Sequence, residues 1–383
     1  MEFLGYKREG GKVGVRNHVL VVSSVACANG VVDAIGRALP DVVAVTHGYG
    51  CGYTPDDIGV SIRTLGGLIN NPNVGAVLVI GLGCEALNSS YLTQMAEDKP
   101  VEALVIQESG GSRATTGKGI EIAGRFLEQL AAQKRELVPV SELVVGLECG
   151  GSDAFSGVTA NPSVGAAADL FVAQGGTVIL SETTEMIGTA HILKRRCANP
   201  DLGKQMECLV NEHEKRVRET LGALAGMVIA PGNIEGGLSS ITEKSLGCIT
   251  KGGTTAITEV IEYAGRPSRR GFVVMDTPGY DIDSMAGMAA AGAQIILFTT
   301  GRGSTAGFPA VPVVKVSSNS TTYNKMPGDM DVNAGTVIDE GRTIQEVGRE
   351  IFDLALEVAA GRRTCAEINR SVPFNYLKQG PTF

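Results

Sequence analysis

No apolar run in this 383-residue chain approaches the about 18 to 20 residues needed to cross a bilayer, so a soluble protein is expected. Basic residues are outnumbered by acidic ones, 33 to 41, and the net charge is −8, with lysine and arginine scattered along the chain. Nucleic acid finds no basic stripe here, and the expected partner is a small molecule. The opening MEFLGYKREG has neither a positively charged leader nor an apolar signal core. With eight cysteines in so long a chain, this points to reduced thiols in a cytoplasm rather than to disulfides. No two cysteines form a C-x-x-C pair, which disfavours a structural zinc ribbon. The 51 glycines, about twice the usual share, follow no Gly-X-Y period and fill no Gly/Ser linker. They belong in turns and at close backbone approaches. No internal repeat or low-complexity tail is present.

What the chain does have is a series of short runs rich in Val and Ile: HVLVVSS, DVVAVTHG, AVLVIGLG, VEALVIQES, ELVVGLE, TVILSET, GMVIA, FVVMDTP, QIILFTTG and VPVVKVSS. Continuously apolar runs that alternate with helical segments such as GIEIAGRFLEQLAAQKREL imply parallel strands covered by helices on both faces, an α/β class. The length exceeds that of a usual single domain. The polar stretch AAQKRELVPVSE at 131–142 divides an N-terminal α/β domain, 1–136, from a C-terminal one, 140–383. Periodic patterns predict covering helices over 200–224 and 343–361, the second ending at Gly361. Around 221–230 the apolar stretch reads as a strand or as a continuation of the preceding helix.

In an open parallel sheet, ligands bind beyond the carboxyl ends of the strands. There the chain places Cys27, then His47 and Cys51, then Cys84 and Glu85, then Glu148 and Cys149, whereas Cys197, Cys208 and Cys365 fall in predicted helical segments. Each thiol alone reads as a small buried hydrophobe. Their grouping adds a second reading, metal or iron–sulfur ligation by some of His47, Cys51, Cys84 and Cys149; catalytic thiol chemistry and plain packing are the alternatives. GLGCEA at 81–86 and GRGSTA at 301–306 fit G-x-G-x-x-G/A. Cys84 and Glu85 would set a thiol and a negative charge beside a pyrophosphate, so a nicotinamide dehydrogenase is the weaker reading. GGSRATTGKG has one residue too many between Gly111 and Gly117 for a phosphate loop, and Gly119 stands where Ser or Thr would hold magnesium.

TVILSETTEMIG puts Glu182 and Glu185 just past a strand and three apart, as acids in a first helical turn or as a metal-binding or acid/base pair. PGNIEGGLSSITEKSLGC brings Asn233, Glu243 and Lys244 among glycines, where a lysine reads as a solvated charge or as a buried base. Arg302 stands between two glycines after QIILF, a fork suited to a carboxylate. Asp331, Asn333, Asn319, Arg16 and Asn17 read as cap and turn residues or as ligand contacts. In ECGGSDAFSGVTANP, residues 148–162, Ser152, Asp153, Ser156, Thr159 and Asn161 offer short donors and acceptors among glycines. That lining suits a heavily hydroxylated ligand or an anion.

GKVGVRNHV, THGYGCG, VLVIGLGCE, GLECGGSDAFSGVTANP, GNIEGGLSSITEKSLG, FTTGRGS and MDVNAG together resemble the galactarate and altronate dehydratase family, in the expected order and over essentially the whole chain. The resemblance implies a sugar-acid dehydratase that needs a divalent metal, iron(II) first, with manganese(II) or an iron–sulfur cluster as alternatives. It implies a C-terminal domain built as an unusual Rossmann-like, mostly parallel sheet of about seven strands, and a preceding domain used for dimerisation. Many members begin with a small extra domain, whereas this chain opens almost at once on YKREGGKVGVRN; that domain is then a separate subunit or dispensable. Sulfolactate sulfo-lyase is the rival branch. It lacks the thiols of GYGCG and GLGCE, so Cys51 and Cys84 argue for a hydroxy-acid dehydratase. Relatives place serine at position 248, which makes Cys248 a poor candidate ligand. The expected roles are metal ligation by His47, Cys51, Cys84 and Cys149, and acid/base work by Glu182, Glu185 and Lys244. Arg16, Asn17, Ser152, Asp153, Asn161, Arg302 and Asp331 are expected to bind substrate. A base removes the proton α to a carboxylate, the β-hydroxyl leaves, and the enol tautomerises to a 2-keto-3-deoxy acid. A non-catalytic sugar-acid-binding subunit is the competing reading of another class.

Overall fold

The computed structural model describes residues 1–382, apart from the side chain of Met227. Strands β1 (Glu2–Lys7), β2 (Val13–Gly14), β3 (His18–Ser23), β4 (Val43–Val45), β5 (Val74–Gly81), β6 (Val101–Val105) and β7 (Glu136–Pro139) occupy the N-terminal part. β8 (Val144–Cys149), β9 (Thr177–Leu180), β10 (Ile257–Ile261), β11 (Gly271–Met275), β12 (Ile295–Thr300), β13 (Val313–Ser317) and β14 (Val332–Asn333) follow. A four-stranded parallel sheet has the order β4-β3-β5-β6, and a seven-stranded parallel sheet the order β10-β11-β9-β8-β12-β13-β14. The expected α/β class and seven-stranded parallel sheet are thus present. β5 and β11 to β13 are buried at every position, as strands covered on both faces must be.

Period-two alternation divides each sheet between two cores. Val19, Val21, Leu78 and Ile80 face helices 29–38 and 112–131. Leu20, Val22, Val77 and Val79 face the opposite way, into a core shared with Met285, Ile296 and Phe298. On the far side of the larger sheet, Val145, Leu147, Val178 and Leu297 pack under helices 160–173 and 344–359. Helices Pro55–Ile69 and Asp281–Ala290 therefore lie between the two sheets. A Cβ on Gly67 would stand 2.4 Å from the Ala290 carbonyl oxygen, so only glycine lets these helices meet backbone to backbone.

Two buried asparagines join the two sheets. Asn73, just before β5, donates to the carbonyls of Gln294 and Ala310 (3.0 Å each) and accepts from Val15 N–H (2.9 Å). Asn71 donates to Ala289 and Ala293 (2.8 and 2.9 Å). Gln294 precedes β12, so the starts of β5 and β12 are neighbours.

Three local expectations are refined. The polar stretch at 131–142 carries β7, which pairs antiparallel with β1. The helix from Pro200 stops at Leu221, where Gly222 takes φ 52°, and a 3-10 segment fills 222–228 in place of a strand or a longer helix. The last long helix, Ile344–Ala359, starts with a capping box between Thr343 and Glu346.

Replacing Asn73 with Ala strands three buried backbone groups, each costing about 1 to 3 kcal/mol. The Asn73→Ala variant is expected to lose several kcal/mol in a denaturation experiment; a loss below about 1 kcal/mol would show that this side chain does not join the sheets.

Candidate active site

From β8 the larger sheet is wound outward through β9 to β11, and from β12 it is wound the other way through β13 to β14. The loops after β8 and β12 part at that reversal and leave a crevice. β8 ends in Glu148 and Cys149, and Glu182 lies just beyond β9. Glu182 holds a left-handed backbone, φ 69° and ψ 62°, a conformation that costs a non-glycine residue on the order of 1 kcal/mol or more. Thr277 maintains it, accepting the Glu182 N–H on Oγ1 (2.6 Å) and the Thr183 N–H on its carbonyl (3.0 Å). The turn aims the Glu182 carboxylate back at β8, where Oε2 accepts the Cys149 N–H at 2.9 Å.

Cys149, Glu182, Glu185 and Cys248 are all buried, and one ligand atom from each lies within 4.8 Å of the others. Cys149 Sγ is 2.7 Å from Glu185 Oε2, 3.7 Å from Glu182 Oε1 and 3.9 Å from Cys248 Sγ. Two lysines complete the group: Lys251, fully buried, pairs with Glu182, and Lys244 pairs with Glu185. Burial, then the neighbouring Cys248, Glu182 and Glu185, push the Cys149 thiol well up, so it donates to Glu185. Burial works to raise Glu185 too, but Lys244 and Lys251 hold it below the usual carboxylate range. Burial and the Glu185 charge raise Glu182 despite Lys251. Burial opposes the charge on both lysines; Glu185 is the chief group that keeps Lys244 an ammonium, and Glu182 and Glu185 keep Lys251 one. Two carboxylates, two ammonium groups and two thiols sum to zero charge.

Two more acids border the group. Glu148 is fully buried; its Oε2 accepts from Ser284 Oγ (2.6 Å), while Oε1 has no donor. Burial, then Glu182 and Asp281, push its carboxyl far above the usual range, and a protonated Oε1 is itself a donor. Asp281 opens helix 281–290, and a Cβ on Gly150 would stand 2.1 Å from its Oδ2, so the absence of a side chain at 150 leaves room for this carboxylate. Burial, Glu182 and Glu185 push Asp281 up to about 7.

Lys244 and Cys248 also line a cavity of about 260 Å³, together with Ser152, Asp153, Asn161 and Gly247. This is near the small end of ligand sites, which span about 300 to 1,000 Å³. Asp153 holds the loop: Oδ1 accepts from Ser156 N (2.8 Å), Ser156 Oγ (2.8 Å) and Ser318 Oγ (2.7 Å), and Oδ2 from Asn319 (3.0 Å). Asn161 bridges Thr299 Oγ1 (2.7 Å) and the Gly247 carbonyl (3.1 Å). Arg302 sits half-exposed beside the loop, paired with Glu235 at 3.0 Å.

The structure thus brings together Cys149, Glu182, Glu185, Lys244, Ser152, Asp153 and Asn161, but it separates other expected residues from them. His47 is not free to bind a metal. A carbonyl can only accept and a backbone N–H can only donate, so Nε2–H donates to Ser23 O (2.8 Å) and Nδ1 accepts from Tyr49 N–H (3.2 Å). Burial pushes this ring down to about 4, and both nitrogens are spent. Cys51 and Cys84 are exposed beyond the smaller sheet, outside the buried group. Arg16 commits all five N–H donors to Glu367 and to the carbonyls of Val15, Val358 and Arg362, which makes it a clamp at the strand starts. Asn17 is bonded to Arg8, Leu130 and Gln133. Asp331 accepts the backbone N–H groups of Lys315 and Cys365. Cys248, set aside on sequence grounds, belongs to the group. Lys251, Glu148 and Asp281 complete it; the position of Glu148 at a strand end was the one sequence signal that pointed to any of the three.

The family profile described as "D-galactarate/Altronate dehydratase, C-terminal" matches residues 140–382, and "D-galactarate dehydratase/Altronate hydrolase, second domain" matches residues 5–131. The chain is 36% identical to altronate dehydratase of Bacillus subtilis over 397 residues, covering 99% of this chain and 78% of that one. It is 38% identical to galactarate dehydratase (L-threo-forming) of Escherichia coli, covering 94% and 73%. It is 35% identical to (2R)-sulfolactate sulfo-lyase subunit beta of Chromohalobacter salexigens, covering 95% and 94%.

Lys251→Met leaves the Glu182 carboxylate buried without its cation and is expected to cost about 3 to 5 kcal/mol of stability. Adding Glu182→Gln is expected to recover more than half of that loss. A single variant as stable as the parent would show that the pair is not coupled.

Proposed function

The chain belongs to the D-galactarate/altronate dehydratase family, and from that premise we propose that it is a hydro-lyase that dehydrates a sugar acid to a 2-keto-3-deoxy acid. The observation that carries this reading is the neutral, buried group of Cys149, Glu182, Glu185, Cys248, Lys244 and Lys251, which opens through Lys244 and Cys248 onto a cavity lined by hydroxyl and amide side chains.

The substrate lies in that cavity with its hydroxyls on Ser152 and Asn161. Lys244, the charged group that reaches both the cavity and Glu185, faces the substrate carboxylate and stabilises the negative charge that builds on it as the α proton leaves. Asp281 is assigned as the base from its place against Gly150, at the root of the loop that carries Ser152 and Asp153 into the cavity; burial, Glu182 and Glu185 raise its carboxyl to about 7, which suits that role at neutral pH. Glu185 holds Lys244 in place. Glu148 retains its proton and, with Glu182, keeps the strand-end turn closed.

The donor set also fits a divalent ion. Cys149, Cys248, Glu182 and Glu185 would hold it, and with both thiols giving up a proton to the dication the total charge would stay zero. Two sulfurs and two carboxylate oxygens suit iron(II) better than manganese(II). When bound there, the ion acts as a Lewis acid toward the substrate's oxygens. The name of the sulfo-lyase relative, a beta subunit, supports a separate small subunit as partner, and we place the chain in a homodimer. Eight free thiols support a cytoplasmic setting, and no helix of the described residues is long and apolar enough to cross a membrane. The division into units 1–136 and 140–383, the second Rossmann-like, remains part of the proposal.

With iron(II), a reductant and no nucleotide, the chain is expected to convert altronate, galactarate or mannonate to a keto acid trapped by semicarbazide. Release of sulfite from sulfolactate would instead mark the sulfo-lyase branch. The rate is expected to fall as pH drops through about 7, when Asp281 takes up its proton. Asp281→Asn should remove that limb, and Lys244→Met should lower kcat by about 100-fold or more. Full activity in both variants would remove the assigned roles.

A further inference from the structure

The smaller sheet has a reversal of its own. From β3 the chain winds outward to β4, then returns across β3 to place β5 on its other side and β6 beyond it. The crevice between the ends of β3 and β5 is therefore the ligand position of this sheet. Cys27 lies just past β3, Cys51 past β4 and Cys84 past β5, all three on neighbouring strands and all three exposed.

The loops that carry them are bonded to one another. Ala26 N–H donates to the Tyr49 carbonyl at 2.7 Å, and Ala86 N–H donates to the Gly50 carbonyl at 3.0 Å. A Cβ on Gly50 would stand 2.5 Å from Val25 Cα, so the loops after β3 and β4 touch backbone to backbone. Cys84 and Cys27, after burial, are the main groups that raise the Cys51 thiol, as nearby sulfurs would. The neighbouring polar groups are already satisfied. His47 has no free nitrogen, and Glu85 accepts from Ser24 Oγ and Gly83 N–H at 2.7 Å each. Sulfur is thus what the crevice offers. Among the described residues, the group of such donors that closes within 4.8 Å is the buried one, so the exposed thiols stand wider apart than a single ion would hold them. Cys27 also lines a cavity of about 480 Å³ with Ser112, Arg113 and Thr116, which leaves one side of the crevice open.

We infer that Cys27, Cys51 and Cys84 hold a 4Fe–4S cluster through three of its irons, with the fourth iron facing the open cavity. Three thiolates on neighbouring, mutually bonded loops, beside a histidine and a carboxylate that are already satisfied, leave one iron free for an oxygen ligand. The site is separate from the buried group and does not rest on the reading given to it. Loading is a ligand exchange without electron transfer. Each cysteine thiol gives its proton to a departing small-molecule thiolate, one Fe–S(thiolate) bond breaks and one forms, and the cluster keeps its oxidation state.

The test is anaerobic transfer of a 4Fe–4S cluster ligated by a small thiol to the full chain, followed by gel filtration and assay of iron and acid-labile sulfide. The parent is expected to retain about four of each per chain and to give a paramagnetic signal on reduction. Cys27→Ala, Cys51→Ala and Cys84→Ala should each reduce uptake by tenfold or more with an unchanged circular dichroism spectrum. Cys208→Ala, an exposed thiol elsewhere, and Cys149→Ala should load like the parent. Absence of sulfide from the parent, iron bound without sulfide, or full loading of the three variants would overturn the assignment. Loss of loading in Cys149→Ala would place the cluster at the buried group instead.

Discussion

The site depends on the pairing of two buried carboxylates with two buried ammonium groups, Glu182 with Lys251 and Glu185 with Lys244. A single unpaired charge at that depth would cost several kcal/mol. Four charges that cancel can be packed beside two thiols, and they hold one another in place. The pairing also explains the ionisation pattern. Glu185 remains a carboxylate because two cations face it, while Glu148, with no cation of its own, keeps its proton. The strained turn at Glu182 persists because it delivers the carboxylate to both Cys149 and Lys251.

Around that group, the same rule of sheet architecture works twice. Each parallel sheet reverses its winding direction once, and each reversal leaves a crevice at the strand ends. The asparagines at 71 and 73 and the helix contact at Gly67 join the two sheets. One crevice is buried and holds carboxylates with thiols; the other is open and carries three exposed thiols. The chemistry of each follows from how deeply the loops cover it.

Much of this was legible in the sequence. Apolar runs without alternation read as covered parallel strands, and the strand-end rule led to Glu148, Cys149, Glu182 and Asp153 before any geometry was known. What escaped was set by contacts distant in the chain. Lys251 in a glycine-rich stretch reads as a surface lysine, and only its pairing with Glu182 buries it. Asp281 reads as a turn acid until Gly150 is seen against its carboxylate. Cys248 was discounted on a comparison of residue types, yet its position beside Cys149 is fixed by helix 241–248. His47 and Arg16 misled in the opposite sense: residue type suited a ligand, but their own loops and the C-terminal segment had already used every donor and acceptor.

The central claim is that the buried group exchanges two thiol protons for one divalent ion at constant charge. The most direct measurement is anaerobic calorimetric titration of iron(II) into a Cys27→Ser, Cys51→Ser, Cys84→Ser variant, in buffers of different ionisation enthalpy. The expected result is one ion bound per chain with release of about two protons, lost when Cys149 and Cys248 are also replaced by serine. Binding without proton release, or binding that survives the loss of both thiols, would contradict it.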